Sequence, residues 1–289
     1  MSDAENWNME DLESSTFFLN SRITPGTEIQ KSVPIWNKVA KRYQEHLDSK
    51  CDTVKIPKVI HQIWLGSRFP RKYKSWSESI RRQNPDCEYI LWDEKRIDEI
   101  NLLNRTAFDK SPSLAVKSDI ARIEILHQYG GMYFDTDFEL FTKIPDLYLS
   151  TDFVVGLVFS ARSNPVFGSS FLFSVRDSMI TKNLIESIRE PLLTSEPETV
   201  MNYIGPYKIT DILLNAIQHG YSDYLVLPSN ILYPWPSYMR NDFNRRYKYL
   251  TEQSIGIHHW EISWVPIWKK LLSRTSWQLK AYVKKFKTK

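Results

Sequence analysis

Apolar positions along the chain recur in two kinds of pattern, one typical of helices and one of buried strands. Between residues 29 and 49 they fall at every fourth position, which predicts an amphipathic helix. These positions are Ile35, Val39, Tyr43 and Leu47. The run KVIHQIWL at 58–65 consists mainly of β-forming residues and ends at Gly66, so it predicts a buried first strand that leads into a loop.

The following segments alternate in the same way. A helix is predicted over 72–83, a strand over 88–92 and a short helix over 94–102. Ser111-Pro112 predicts the start of a helix that ends at Gly130-Gly131, and a short apolar strand follows at 132–134. Later strands are predicted at 153–159 and 224–227, and later helices at 183–190 and 209–218. This order predicts an α/β fold with a mostly parallel sheet, whose site lies in the loops after the strands.

An acidic motif, Asp135-Thr136-Asp137, follows directly after the predicted strand at 132–134. Asp135 and Asp137 lie two residues apart, so in an extended segment both side chains point to one face while Thr136 points away. Carboxylate oxygens suit Mg²⁺ or Mn²⁺, which keep open positions for phosphate oxygens. The motif therefore predicts a metal site, and the alternative is a solvated turn whose aspartates cap a helix.

Other residue types suited to ligand binding lie before and after this motif. Asp119 and Arg122 share one helix face and could grip sugar hydroxyls, but they could also form a surface ion pair. The late run His258-His259-Trp260 could complete a metal site and stack on a base or sugar, or it could be an aromatic packing corner. Trp64 could stack on a nucleobase or belong to the core.

Composition sets limits on the class of protein. The chain has 289 residues, of which 42% are hydrophobic, and a formal net charge of +4, as expected for a globular protein. The acidic start MSDAENWNMEDLESS does not resemble a secretory signal, and no apolar run approaches the roughly 18 residues of a membrane-spanning helix. Cys51 and Cys87 have no CxxC spacing, so we expect two reduced thiols in a cytoplasmic protein.

Four segments in a fixed order carry a resemblance to a known family. They read IPKVIHQIWLG, SLAVKSDIARIEILHQYGGMYFDTD, IGPYKITDIL and IGIHHWEISW. Together they resemble the DXD-containing glycosyltransferase family 32, which includes fungal outer-chain mannosyltransferases, and clostridial cytotoxin catalytic domains are similar in the same motif. The resemblance spans about 55–264 and is most specific over 118–137. It implies one nucleotide-sugar-binding domain of the GT-A type, with a mixed, mostly parallel sheet and a metal-dependent reaction that retains anomeric configuration.

The resemblance also implies a role for individual residues. The implied catalytic set is Asp135, Asp137 and Arg122, with Mn²⁺ or Mg²⁺ as the cofactor. The implied metal ligands are Asp135, Asp137 and His258, with His259 as the alternative to His258. The implied donor-binding residues are Ile63, Trp64, Asp119, Arg122, Tyr133, Asp135, Ser263 and Trp264. Gly205-Pro206 resembles a motif that shapes the acceptor side.

We therefore divide the chain into a polar leader with a helix (1–54), a catalytic domain (55–266) and a tail (267–289). The tail carries eight lysines and arginines and no acidic residue among its aromatic and aliphatic residues. This pattern predicts a helix at an anionic membrane surface, on the inner face for a cytoplasmic protein, and the alternative is a solvated basic tail. Nucleic acid is not an expected partner, because no nucleic-acid-reading module accompanies the charge.

The function expected from this resemblance is transfer of a hexose from a nucleotide sugar to a glycan or glycolipid acceptor, in the synthesis of a capsule or surface polysaccharide. A UDP-sugar is the favoured donor, and GDP-mannose is the second option. One alternative is an aspartate-dependent phosphatase, although Phe138-Glu139 follows Asp137 without the expected threonine. The other alternative is a non-catalytic sugar-binding module.

Overall fold

The structure is a computed structural model that describes residues 15–21, 33–49, 53–158, 165–194 and 197–261. The strands are β1 Val59–Ile63, β2 Glu88–Trp92, β3 Gly131–Phe134, β4 Phe138–Leu140, β5 Phe153–Val158, β6 Val166–Ser174, β7 Tyr224–Leu227 and β8 Gly256–His258. The helices are α1 Thr16–Ser21, α2 Val33–Asp48, α3 Arg71–Gln83, α4 Glu94–Asp98, α5 Arg105–Lys110, α6 Leu114–Tyr129, α7 Met179–Glu186, α8 Pro197–Tyr203, α9 Pro206–Gln218 and α10 Ser229–Leu232. Short 3₁₀ helices cover Asp146–Leu149, Ser237–Met239 and Phe243–Tyr249.

A six-stranded mixed sheet forms the centre of the fold, in the order β2-β1-β3-β6-β5-β7. Neighbouring strands are parallel in the pairs β1/β2, β1/β3 and β5/β7, and β6 runs antiparallel to both β3 and β5. A second, two-stranded sheet pairs β4 with β8. The predicted α/β class with a mixed, mostly parallel sheet is confirmed.

The longest strand, β6, was not predicted from the sequence. It has nine residues and lies between β3 and β5, where almost every side chain is buried. Gly168, Ser169 and Ser170 interrupt its apolar pattern, so neither an alternating nor a continuous hydrophobic signal is present in the sequence. The strand nevertheless fits because Phe171 and Phe173 pack against Phe134 of β3, with ring centroids 6.3 and 5.3 Å apart.

Helix α6 leads into the strand that ends at the acidic motif. It begins at Leu114 with Ser113 as its N-cap residue, so the predicted start at Ser111-Pro112 was wrong. The Ser111 hydroxyl instead accepts a hydrogen bond from the Ser113 N–H at 3.3 Å, which stabilises the turn before the helix. Because the helix is buried on several faces, its charged residues need partners, and Glu124 accepts bonds from the backbone of the 103–104 turn.

The predicted stop at Gly130-Gly131 is confirmed, and it sets the position of β3. Both glycines have positive φ, 65° at Gly130 and 102° at Gly131, a region in which a side chain causes strain. A Cβ on Gly131 would lie 2.6 Å from the carbonyl oxygen of Val59 and 2.9 Å from Nε2 of His61. Only glycine therefore lets β3 pair closely with β1, and this pairing carries the acidic motif to the edge of the sheet.

The predicted amphipathic helix in the leader is confirmed as α2, which packs on the central domain. Its Trp36 ring lies 5.8 Å from the ring of Phe167 in β6, and Tyr43 contacts Phe17 of α1 at 5.6 Å. Among the described helices, none combines the length and apolar character needed to cross a bilayer. The predicted tail, 267–289, lies outside the described residues.

Candidate active site

The acidic motif forms a turn between β3 and β4. The Asp135 N–H donates to the carbonyl oxygen of Ser170 in β6 at 2.7 Å, and the Phe138 N–H donates back to the carbonyl of Asp135 at 3.1 Å. Residues 136 and 137 are therefore in a turn, and the predicted extended geometry was wrong. The two carboxylates nevertheless lie close together, because the turn bends the chain towards β8.

Strand β8 brings an imidazole to these carboxylates. Its pairing with β4 sets His258 opposite Phe138, and the two rings stack at 4.9 Å. Nε2 of His258 lies 3.0 Å from Oδ1 of Asp137 and 3.9 Å from Oδ2 of Asp135. One ligand atom from each of the three residues lies within 4.8 Å of the others, which is close enough for all three to contact one cation.

The Asp137 carboxylate is buried and held from several directions. Its Oδ2 accepts a bond from the Glu261 N–H at 2.7 Å, and its backbone carbonyl accepts one from the His259 N–H at 2.9 Å. Burial alone would raise the pKa of Asp137, but His258 and the Glu261 N–H together hold the pKa below its ordinary value. The Asp137 carboxylate is therefore negatively charged at neutral pH.

Arg122 neutralises the carboxylates on the other side of the motif. Its Nη2 lies 2.8 Å from Oδ1 of Asp119 and 3.3 Å from Oδ1 of Asp135, and its Nη1 donates to the Ser169 carbonyl at 2.6 Å. The side chains of Arg122 and Asp119 are only 7% and 12% exposed, so the alternative of a surface ion pair was wrong. Burial would lower the pKa of Arg122, but the carboxylates of Asp119 and Asp135 outweigh it and raise the pKa.

Asp119 is the buried carboxyl that pairs with Arg122. Its burial raises the pKa of the carboxyl to about 6, despite the opposing effect of Arg122. A buried carboxyl with a shifted pKa at a cavity is typical of functional sites, although ion-pair networks produce such shifts too.

Asp135 is positioned by polar groups that sequence analysis found only in part. The hydroxyl of Tyr133 donates to Oδ1 of Asp135 at 2.7 Å, as its predicted place beside the site suggests. The Gln62 side chain donates to the backbone carbonyl of Asp135 at 3.0 Å, and its own oxygen accepts from the Tyr89 hydroxyl at 2.7 Å. Gln62 and Tyr89 were missed, because only the parallel pairing of β1 with β2 brings them together.

A cavity of about 520 Å³ opens in front of these groups. Most of the predicted site residues line it, namely Ile63, Trp64, Asp119, Arg122, Tyr133, Asp135, Asp137 and His258, together with Gly205 and Pro206. The Trp64 ring packs 4.8 Å from that of Tyr73, and its indole N–H donates to the Ser67 carbonyl at 2.9 Å. Ser263 and Trp264 lie outside the described residues.

His259, the alternative metal ligand, turns away from the cavity. Its Nε2 lies 3.0 Å from Oε2 of Glu139, and its ring stacks on Trp76 at 4.1 Å. The structure therefore brings His258, and not His259, to the two aspartates.

The chemistry of the three clustered groups fits a divalent cation. Two carboxylates match the preference of Mg²⁺ and Mn²⁺ for oxygen ligands, and an imidazole nitrogen is a common ligand of transition-metal ions. Nδ1 of His258 is buried and has no hydrogen-bond partner among the described residues, whereas Nε2 faces Oδ1 of Asp137 at 3.0 Å.

Part of this arrangement lies in a segment that matches a known protein family. Residues 70–154 match the family described as "Glycosyltransferase sugar-binding region containing DXD motif". The DXD motif is Asp135-Thr136-Asp137. We call this matched segment, residues 70–154, the DXD region. This DXD region contains Asp119 and Arg122, whereas Trp64 and His258 lie outside it. The resemblance inferred from the sequence is confirmed by this match.

Similar proteins carry names of the same kind. Inositol phosphoceramide mannosyltransferase 1 of Schizosaccharomyces pombe is 37% identical over 92 residues, which is 29% of this chain and 28% of that protein. An uncharacterized glycosyltransferase of Acanthamoeba polyphaga mimivirus is 28% identical over 206 residues, covering 66% of this chain and 78% of that protein. The chain spans only about a quarter of the length of the fungal mannosyltransferases that it matches.

Solved structures resemble the chain only loosely. The ligand-free glycosyltransferase domain of the YGT toxin has a TM-score of 0.48 and 11% identity, covering 60% of this chain and 80% of that chain. The PaToxG glycosyltransferase has a TM-score of 0.44 and 18% identity, covering 66% of this chain and 81% of that chain.

Proposed function

We propose that the chain transfers a hexose from a nucleotide sugar to a glycan or lipid-linked acceptor, with Asp135, Asp137 and His258 holding a divalent cation, preferably Mn²⁺. The single observation that carries this proposal is the convergence of these three side chains on a cavity in front of the DXD turn. The family match supplies the reaction class, since it covers both aspartates. Retention of anomeric configuration rests on the family resemblance.

The residues of the site would have different roles in such a reaction. When bound, the cation would supply Lewis-acid stabilisation of the negative charge on the departing diphosphate. Asp137 would provide a carboxylate oxygen from the DXD turn, and His258 would provide an imidazole nitrogen from β8. Arg122 holds Asp119 and Asp135 in place through ion pairs of 2.8 and 3.3 Å, which orients both carboxylates towards the cavity.

The proposal also concerns the identity of the donor. Trp64, Ile63 and Tyr73 form an aromatic and apolar wall of the cavity, to which a nucleobase can bind. We retain a UDP-hexose as the favoured donor. The fungal relatives are named as mannosyltransferases, so GDP-mannose is tested beside it.

A panel of UDP- and GDP-sugars tests the proposal. Donor hydrolysis needs no acceptor, so we expect Mn²⁺-dependent release of nucleoside diphosphate from at least one donor. Retention is checked by the anomeric configuration of the sugar first released. A phosphatase would release phosphate from monoesters instead, and a binding module would consume none of the donors.

Location and acceptor context are also part of the proposal. We propose a cytoplasmic enzyme that serves the synthesis of a surface polysaccharide and contacts an anionic membrane through residues 267–289. The support for the membrane contact is the basic and aromatic composition of that tail. Equal binding of the full chain and a chain ending at 266 to phosphatidylglycerol liposomes would rule it out.

A further inference from the structure

Two guanidinium groups line the cavity in opposite situations. Arg122 is buried, and its donors are taken by Asp119, Asp135 and the Ser169 carbonyl. Arg240 is exposed at the cavity wall, and its guanidinium has no hydrogen bond or ion pair with any residue in the described ranges. The first is therefore committed to the protein, and the second is available to a ligand.

The charges around the cavity also distinguish Arg122 from Arg240. The carboxylates that line it belong to Asp119, Asp135, Asp137 and Glu261. Arg122 neutralises the first two in part, and Glu261 forms an ion pair with Lys72. A divalent cation would balance Asp135 and Asp137, but a bound diphosphate would then add negative charge that only Arg240, among the described cationic residues lining the cavity, is free to offset.

A chain of contacts connects Arg240 to the metal side of the cavity. The Trp260 ring lies 4.2 Å from the ring of His258, and its indole N–H donates to the Trp235 carbonyl at 2.7 Å. From Trp235 the chain enters the 3₁₀ turn Ser237–Met239, and the Arg240 N–H donates to the Ser237 carbonyl at 3.2 Å. The turn thus holds Arg240 on a segment anchored beside His258.

We propose that Arg240 binds the diphosphate of the donor and stabilises it as it departs. This inference rests on the proposed function. In the reaction, the bond from the anomeric carbon to the diphosphate oxygen breaks, and its electron pair stays on that oxygen. The new bond forms between the anomeric carbon and the oxygen of the acceptor hydroxyl, or of water in hydrolysis, and the proton lost from that oxygen passes to solvent. The Arg240 guanidinium meets the added negative charge with charge-assisted hydrogen bonds.

Arg245 offers a matched control on the same segment. It is 67% exposed, lies 3.7 Å from Asp242 and does not line the cavity. The variants are Arg240→Gln, Arg240→Lys and Arg245→Gln in the full chain, each checked for an unchanged thermal unfolding midpoint. Binding of inorganic pyrophosphate with Mn²⁺ is the main measurement, because this probe carries neither base nor sugar. Binding of Mn²⁺ alone and kcat for donor hydrolysis are measured beside it.

We expect Arg240→Gln to weaken pyrophosphate binding by about tenfold or more and to lower kcat for donor hydrolysis by a similar factor, with Mn²⁺ affinity unchanged. Arg240→Lys should recover part of both, and Arg245→Gln should change neither by more than about twofold. Wild-type pyrophosphate binding and a wild-type kcat for donor hydrolysis in Arg240→Gln would overturn the proposal. If the wild-type chain hydrolyses no donor, the proposed function fails, while weakened pyrophosphate binding in Arg240→Gln would still support an anion site at Arg240.

Discussion

Two carboxylate–imidazole pairs lie side by side where β4 meets β8, and their surroundings differ. In each pair Nε2 lies 3.0 Å from a carboxylate oxygen, in Asp137–His258 and in Glu139–His259. Asp137 and His258 line the cavity and have Asp135 as a third neighbour, whereas Glu139 and His259 do not line it. A carboxylate and an imidazole therefore face the cavity in one pair and contact neighbouring protein side chains in the other.

The second pair is enclosed by aromatic residues and a further hydrogen bond. The His259 ring stacks on Trp76, and the Tyr247 hydroxyl donates to Oε2 of Glu139 at 2.8 Å. Burial lowers the pKa of His259 despite the opposing effect of Glu139, so this imidazole is neutral at neutral pH. Residue type thus selects the candidate ligands, but the packing of neighbouring side chains decides which of them can reach a cation.

The largest expected difference between the pairs is in catalysis. We expect Asp137→Asn to lower kcat for Mn²⁺-dependent donor hydrolysis by about 10²- to 10³-fold, because the departing diphosphate loses its charge compensation. Glu139→Gln should lower it by less than about tenfold, since it alters only a neighbouring support. Steady-state kinetics on both purified variants, with circular dichroism to confirm folding, measures this. Equal losses of kcat in the two variants would show that the two pairs do not differ in their importance for catalysis.

The second expected difference is that His259 contributes to stability, whereas His258 contributes to metal affinity. His259→Ala removes a stacked, fully enclosed ring and a hydrogen bond, so the free energy of unfolding should fall by about 3 kcal/mol. His258→Ala should weaken Mn²⁺ binding by at least about tenfold, and His259→Ala should leave it nearly unchanged. Urea unfolding and calorimetric Mn²⁺ titration of both variants provide the data. The assignment of the two histidines would be reversed if His259→Ala abolished Mn²⁺ binding.

A third buried imidazole extends the comparison to pH. His61 lies in β1, where its Nε2 is 2.8 Å from the Gly130 carbonyl and its Nδ1 accepts from the Trp92 indole at 3.1 Å. Burial lowers the pKa of His61 to about 4, against an ordinary value of 6.5. Between these values the unfolded chain binds more protons, so stability falls as pH falls. We expect this residue to contribute a loss of about 2 kcal/mol in the free energy of unfolding between pH 7 and pH 5.

His61→Gln tests that contribution. Denaturant unfolding at pH 7 and pH 5 should show a smaller drop in stability for this variant than for the wild-type chain. An identical drop in both would show that protonation of His61 is not responsible.

The smallest expected effect concerns the ion pair beside the first carboxylate–imidazole pair. Lys72 contacts Glu261, whose backbone N–H binds Asp137, but the Lys72 side chain is 46% exposed. Lys72→Met should therefore cost less than about 1 kcal/mol of stability. Lys74→Met, on the same helix, is the control. A loss of several kcal/mol in Lys72→Met alone would mean that this contact holds the Asp137 side of the site in place.

Sequence patterns predicted the elements in which local signals agree with tertiary packing. β2 at Glu88–Trp92 and β7 at Tyr224–Leu227 begin and end where they were predicted, because uninterrupted β-forming runs supply both strands. The start of α6 was misplaced by the Ser111-Pro112 signal, which stabilises a turn instead. β6 was missed, because its buried position depends on two neighbouring strands that its own sequence does not reveal.

The site was predictable to the extent that its residues are close in sequence. Asp119, Arg122 and Tyr133 approach Asp135 because one helix and the following strand carry all of them. The support from Gln62 and the choice between the two late histidines depend on strand pairings across the fold, which spacing cannot provide. The free guanidinium of Arg240 likewise emerges only when the partners of every other charge around the cavity are known.

Direct measurement of Mn²⁺ binding tests the central claim that Asp135, Asp137 and His258 hold one cation. Titration of the wild-type chain with Mn²⁺, followed by the electron paramagnetic resonance signal of the free ion, should show one bound ion per chain. Asp137→Asn should lose this ion, and Glu139→Gln should keep it with nearly wild-type affinity. Undiminished binding of one Mn²⁺ by a folded Asp137→Asn variant would contradict the account.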